Sequence, residues 1–281
     1  MSLHPAAPEG LDGLAAAYAH TVQAISDLGH SLRPGDEERP TTCPGWTVLD
    51  QFAHVVSLEA WVQGEDVPDV DLEDGPSAEG INAIVDRFLE SRRGRSLAEL
   101  LEELDGLVAD QVRHLRADTT SPDEPRTGPY GPTTLLGLME SRVFDLWVHE
   151  QDIREAIGRP GNLDGPAAAH TVRMLFDALP RIVARRAGVP AGHAVILDLT
   201  GPVVGRAGVR VEERDGKPFG TPLFTGDAEH HADISTTTIT MSTQAATRRC
   251  AGRASTDDTH HVVHGDDDIA RRVLDALVIT P

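Results

Sequence analysis

At 281 residues the chain is longer than one small core needs, and two domains are expected. Its formal net charge of −20 repels phosphate backbones and anionic membrane surfaces, which argues against nucleic acid or membrane as a partner. Only two cysteines occur, Cys43 and Cys250, too few for a disulfide framework, and no apolar run approaches the roughly 20 residues of a membrane span. The first residues lack a basic stretch followed by an apolar one, so no signal peptide is read there and a cytoplasmic location is expected.

Residues 11–32 read as a helix with an apolar stripe through Leu14, Tyr18, Val22 and Ile25, stopped at Arg33-Pro34-Gly35. A turn, Cys43-Pro44-Gly45-Trp46, feeds a second helix. Thr47 and Asp50 resemble a capping box there, with Asp in place of the usual Glu or Gln. His54 shares a face of that helix with Leu58 and Trp61 and is expected to point inward. Residues 64–80 form an acidic, breaker-rich loop. Helices follow over 81–93 and 97–115, the second capped by Ser96. Another breaker-rich loop, 119–132, precedes a long helix over 133–157 that stops at Gly158-Arg159-Pro160. These helices imply a bundle of four main helices over residues 1–163.

Residues 166–186 continue as a helix kinked at Pro180, within a bridging segment 164–190. The pattern then changes to strands over 194–199, 203–213 and 232–241, with Asp215-Gly216 as a turn. A short helix over 243–251, a strand over 260–264 and a closing helix over 269–277 complete an α+β domain, residues 191–281.

The chemistry concentrates on the long helix. Asp145 and His149 are four residues apart and project from one helical face, where a carboxylate and an imidazole can share a divalent cation or simply hydrogen-bond. Asp152 competes for the same role, but it stands about 10 Å from Asp145 along a helix rising 1.5 Å per residue. It suits orienting His149 from behind, or pairing with Arg154. Cys43 has no basic activator in its neighbourhood and reads as a turn residue. His230, His231, His260, His261 and His264 lack a ligand framework of recognisable spacing and read as surface or strand histidines.

Two separated stretches together resemble one family. Cys43-Pro44-Gly45-Trp46-Thr47-Val48-Leu49-Asp50 with His54, and Trp147-Val148-His149-Glu150-Gln151-Asp152-Ile153-Arg154 followed by Gly158-Arg159-Pro160-Gly161, are similar to the signatures of the mycothiol-dependent maleylpyruvate isomerase group. The resemblance implies an α+β chain: a DinB-like four-helix bundle that binds metal, followed by a smaller α/β C-terminal domain. It implies a metal triad of His54, Asp145 and His149, although the group's isomerases are expected to carry Glu at the position of Asp145. It implies a divalent metal, with zinc favoured and iron or nickel compatible, and mycothiol as thiol cosubstrate. A small electrophilic molecule would be the substrate, for cis–trans isomerisation or thiol transfer. A basic residue of the C-terminal domain is expected to assist, and Arg253 is the residue chosen for it. The competing expectation is a non-catalytic ligand-binding or regulatory protein on the same scaffold, since fold does not fix function. A further one is an apolar ligand held by the C-terminal domain.

Overall fold

A computed structural model describes residues 3–65, 78–117, 120–128, 131–225 and 234–279. In chain order it contains β1 (Leu3–His4), α1 (Gly10–His30), α2 (Val48–Val62), α3 (Ala78–Arg92), α4 (Leu97–Leu115), β2 (Pro125–Gly128), β3 (Gly131–Thr134) and α5 (Leu135–Ala156). There follow α6 (Pro166–Arg181), β4 (His193–Thr200), β5 (Val204–Arg214), β6 (Lys217–Leu223), β7 (Ser235–Met241), α7 (Thr243–Cys250), β8 (His261–His264) and α8 (Asp267–Asp275). The chain divides into two units. One is Pro8–Gly161; the other joins the residues up to Ala7 with those from Asn162 onward. The fold is α+β.

In the helical unit, local chemistry sets where helices begin. Thr47 Oγ1 accepts from the Asp50 amide at 3.2 Å while Asp50 Oδ2 accepts from the Thr47 amide at 2.8 Å, so the capping box forms with Asp in the Glu position. Ser96 and Glu99 repeat the device for α4. Thr134 caps α5 by accepting from the Gly137 amide. At its other end α5 closes on Gly158, which adopts φ +66°. Helices α1, α4, α2 and α5 pack as neighbours around a ring, α1 against α4 and α5, α2 against the same two, and α3 adds to α2. This is the expected four-helix bundle. The core between these helices is largely apolar, with Leu14, Tyr18, Phe52, Leu100, Leu104, Leu138 and Trp147 buried, and encloses a few charged side chains as well. The loop expected over 119–132 contains the antiparallel β2–β3 pair, in register from Pro125 opposite Thr134 to Gly128 opposite Gly131. The loop expected over 64–80 lies largely outside the described residues, and α3 begins at Ala78.

The second unit is built on a six-stranded sheet ordered β1-β5-β4-β7-β8, with β6 also on β5. Central β4 runs antiparallel to β5 and parallel to β7, and Ala194 through Leu197 are all buried, as a strand covered on both faces requires. Asp215 and Gly216 both take positive φ, +52° and +69°, the signature of a type I′ hairpin joining β5 to β6. The expected bridging segment, 164–190, falls in this unit. There α6 packs on β5 and β6, and a five-residue π-helical turn, Ile182–Arg186, follows Pro180. Gly220 of β6 allows that approach: a Cβ there would lie 2.4 Å from the Pro180 carbonyl oxygen. Among the described residues no helix is long and apolar enough to cross a membrane.

Candidate metal centre

The ends of α2 and α5 that carry the two sequence signatures meet inside the helical unit. One donor atom each from His54, Asp145 and His149 lies within 4.8 Å of the others. The imidazoles of His54 and His149 are buried, with ring centroids 4.6 Å apart. Asp145 retains 30% of its side-chain surface, which gives this centre an opening toward solvent. Trp46, from the turn before α2, stacks on His149 at 6.1 Å with an interplanar angle of 14° and stands 5.0 Å from His54. The Pro44-Gly45-Trp46 turn thus supplies an aromatic wall for the two histidines.

Asp145 is held from both sides. Arg142, one turn earlier on α5, donates to Oδ2 at 2.6 Å, while His149 Nε2 lies 3.4 Å from Oδ1. Burial by itself disfavours the charged carboxylate. The positive charges of His149 and Arg142 outweigh it and hold Asp145 well below the usual carboxylate range. His149 shows the complementary shift: burial opposes its charge, but Asp145 raises its pKa well above the ordinary imidazole value. Arg142 is fully enclosed. It donates to Glu59 Oε1 through Nε at 3.1 Å and Nη2 at 2.6 Å, and Tyr18 donates to Glu59 Oε2 at 2.5 Å. Burial, then Glu59, push the Tyr18 hydroxyl well above its usual pKa.

Behind His149, Nδ1 lies 2.6 Å from Gln51 Oε1 and 3.4 Å from Asp152 Oδ2. Asp152 therefore stands behind His149 and not on the face of Asp145. It accepts from Thr42 Oγ1 at 3.1 Å and Cys43 Sγ at 3.3 Å, while Arg154 is engaged with Glu150 at 2.7 Å. Cys43, His149 and Asp152 form a second group of converging donors. The partners that Cys43 lacks in its local sequence are supplied from α5, more than 100 residues on.

Sequence reasoning placed His54, Asp145 and His149 on inward faces and missed Gln51, Glu59, Arg142, Trp46 and Tyr18 as partners. Two of these were signalled by spacing: Arg142 precedes Asp145 by three residues, and Gln51 precedes His54 by three, each sharing a helix face with its neighbour. Arg253 lies in the other unit, in the turn after α7, and its Nη1 donates to the Ala251 carbonyl at 3.0 Å. His261 Nδ1 is 2.6 Å from the Thr259 carbonyl oxygen, and among the described residues no converging donor group includes His260, His261 or His264. His230 and His231 lie outside the described residues.

Comparison with known proteins bears on the family and the fold. A family model described as the mycothiol maleylpyruvate isomerase N-terminal domain matches residues 18–154, a span from α1 through nearly all of α5. This domain belongs to that family. Two solved structures share the fold of the chain: a mycothiol-dependent maleylpyruvate isomerase, with TM-score 0.52, and a histidine-to-alanine mutant of such an isomerase, with TM-score 0.51. Each is 16% identical, and each alignment covers 90% of this chain and 93% of the other. No curated protein sequence matches the chain. The matched span includes α2 and α5, the helices that carry His54, Asp145 and His149.

Proposed function

We propose that this chain is a divalent-metal enzyme that uses mycothiol as cosubstrate on a small electrophilic carbonyl compound, in cis–trans isomerisation or in thiol transfer. The observation that carries the reading is the convergence of His54, Asp145 and His149 within 4.8 Å. Two imidazoles and one carboxylate leave a fourth position open, as catalytic zinc sets do, and the same donors also suit iron or nickel. The donor chemistry fits a cation: His149 and Arg142 keep Asp145 ionised, and Arg142 occupies Oδ2, so Oδ1 is the oxygen left to coordinate. A divalent ion held there lowers the pKa of a thiol brought to it.

The remaining chemistry belongs to the thiol and the substrate. Sulfur bonds to the carbon β to the carbonyl, and the alkene pair moves onto the carbonyl oxygen. The former double bond, now single, rotates. Return of the electron pair breaks the carbon–sulfur bond and releases the trans isomer with the thiol regenerated. If a proton adds at the α carbon instead, the thioether is the product and the reaction is a transfer. Trp46 walls the two histidines, and Arg253 is proposed as the assisting basic residue, to be tested by the effect of Arg253→Ala on turnover. We place the protein in the cytoplasm, whose reducing conditions suit two free buried cysteines.

The test measures metal content and mycothiol-dependent turnover of maleylpyruvate and other conjugated acids. The wild-type protein should contain about one metal ion per chain, as a single set of three ligands implies, and should turn over only with thiol present. His149→Ala should lose both. Full activity in metal-free His149→Ala would refute the proposal. Binding across the panel without turnover would favour the regulatory alternative.

A further inference from the structure

His149 has two ring nitrogens, and its neighbours decide which of them is left free to bind a cation. The Trp46 carbonyl oxygen can only accept, and Thr41 Oγ1 lies 3.1 Å from it. Thr41 Oγ1 also faces the Gln51 amide nitrogen at 2.9 Å and the Cys43 backbone N–H at 3.3 Å. A hydroxyl has one proton and two lone pairs. Here the proton goes to Trp46 and the lone pairs accept from Gln51 and Cys43, so its capacity is filled. The Gln51 side chain is thereby oriented with Nε2 on Thr41 and Oε1 on His149, 2.6 Å from Nδ1. An oxygen in that place requires a proton on Nδ1. Reversing the amide would set two acceptor oxygens, the Trp46 carbonyl and Gln51 Oε1, against the single Thr41 proton, leaving one of the two contacts without hydrogen. It would also turn a lone pair of Nδ1 toward Asp152 Oδ2, 3.4 Å away. Neither arrangement is tolerated cheaply in a buried site.

We propose that Gln51, oriented by Thr41, fixes the tautomer of His149, so that Nδ1 keeps its hydrogen and Nε2 is the nitrogen that binds the cation. The inference rests on the metal reading above. It makes Gln51 and Thr41 positioning residues, in the way a partner on the far nitrogen orients a ligand histidine. It also decides between the two donor groups. The Cys43–His149–Asp152 group faces the Nδ1 side of the ring, which the Gln51 hydrogen bond commits. The group with His54 and Asp145 faces Nε2, 3.4 Å from Asp145 Oδ1.

The experiment titrates the metal-stripped full-length protein with Zn2+ against a chromophoric chelator, comparing wild type with Gln51→Leu, Gln51→Glu and Thr41→Val. Gln51→Leu removes the acceptor and should weaken binding about 10- to 100-fold. Gln51→Glu restores an oxygen on Nδ1 and should bind within about threefold of wild type, or more tightly, as carboxylate-backed ligand histidines do. Thr41→Val lets the amide turn and should weaken binding by less than Gln51→Leu. Nitrogen-15 NMR of the Zn2+-loaded wild type should show His149 metallated at Nε2 and protonated at Nδ1, and this measurement decides the matter even if Gln51→Leu fails to fold. Zn2+ on Nδ1 would overturn the inference, as would a folded Gln51→Leu protein that binds Zn2+ as tightly as wild type. In that last case the metal reading survives, whereas a wild type that binds no Zn2+ removes both.

Discussion

Replacing Arg142 with methionine tests the charged chain in the bundle core. Arg142 has 1% of its side chain exposed and its partner Glu59 has none. In wild type Glu59 receives two hydrogen bonds from Arg142 and one from Tyr18. In Arg142→Met the carboxylate keeps the Tyr18 hydroxyl and loses its countercharge. Leaving one member of a buried pair uncompensated costs about 3–5 kcal/mol. For a unit of this size about 2–4 °C accompanies each kcal/mol, so the midpoint should fall by about 6–20 °C. Tryptophan fluorescence is the assay, because Trp46, Trp61 and Trp147 are the chain's three tryptophans and all lie in the helical unit. Glu59→Gln/Arg142→Met should recover much of the loss, because it removes the uncompensated buried charge. A loss below about 1 kcal/mol, or a double variant no more stable than Arg142→Met, would refute the reasoning.

Three further expectations concern the metal, a thiol and a glycine. Zn2+ at about 100 times its dissociation constant should stabilise the helical unit by about 2.7 kcal/mol, and chelation should reverse this; no shift in the fluorescence midpoint would count against a folded-state site. Cys250 is buried and its thiol is pushed up to about 12 by burial, so in a Cys43→Ser protein a disulfide reagent at about pH 8 should find no native thiol and one after denaturation. Rapid native labelling would contradict that placement. Gly220→Ala sets a Cβ against the Pro180 carbonyl and should cost about 1–3 kcal/mol, seen as an earlier calorimetric transition of the sheet unit with the tryptophan signal unchanged.

What the sequence disclosed was local. The Thr47–Asp50 box, the Ser96 cap, the Gly158 stop and the Asp215-Gly216 hairpin each depend on residues within a few positions, and each formed where the pattern placed it. The inward faces of His54 and His149 were legible for the same reason, as helical periodicity. Strands without a local signal were not. Leu3–His4 pairs with β5 some 200 residues away, and β6 carries Pro218 and Pro222, which argue against a strand except at an edge such as this one. The partners of the site were hidden in the same way. Nothing near Cys43 announces Asp152, nothing near Glu59 announces Arg142, and both pairs form only when α5 packs on α2 and its preceding turn.

Under the metal reading proposed above, the buried chain from Tyr18 to His149 would let an aspartate serve at the position where the family resemblance implies a glutamate. A ligand carboxylate must stay ionised inside a low-dielectric core before any cation arrives, or the site would present a protonated acid. His149 and Arg142 both favour the Asp145 carboxylate, and Glu59 in turn holds Arg142, so charges alternate along the chain. The Arg142 contact fixes Asp145 at Oδ2 and leaves Oδ1 beside His149 Nε2. A glutamate would carry its carboxylate one methylene farther from α5 and would need a different hold on its outer oxygen. The short side chain and the arginine are therefore one solution to a single requirement. It turns one carboxylate oxygen toward the face shared with His54 and His149.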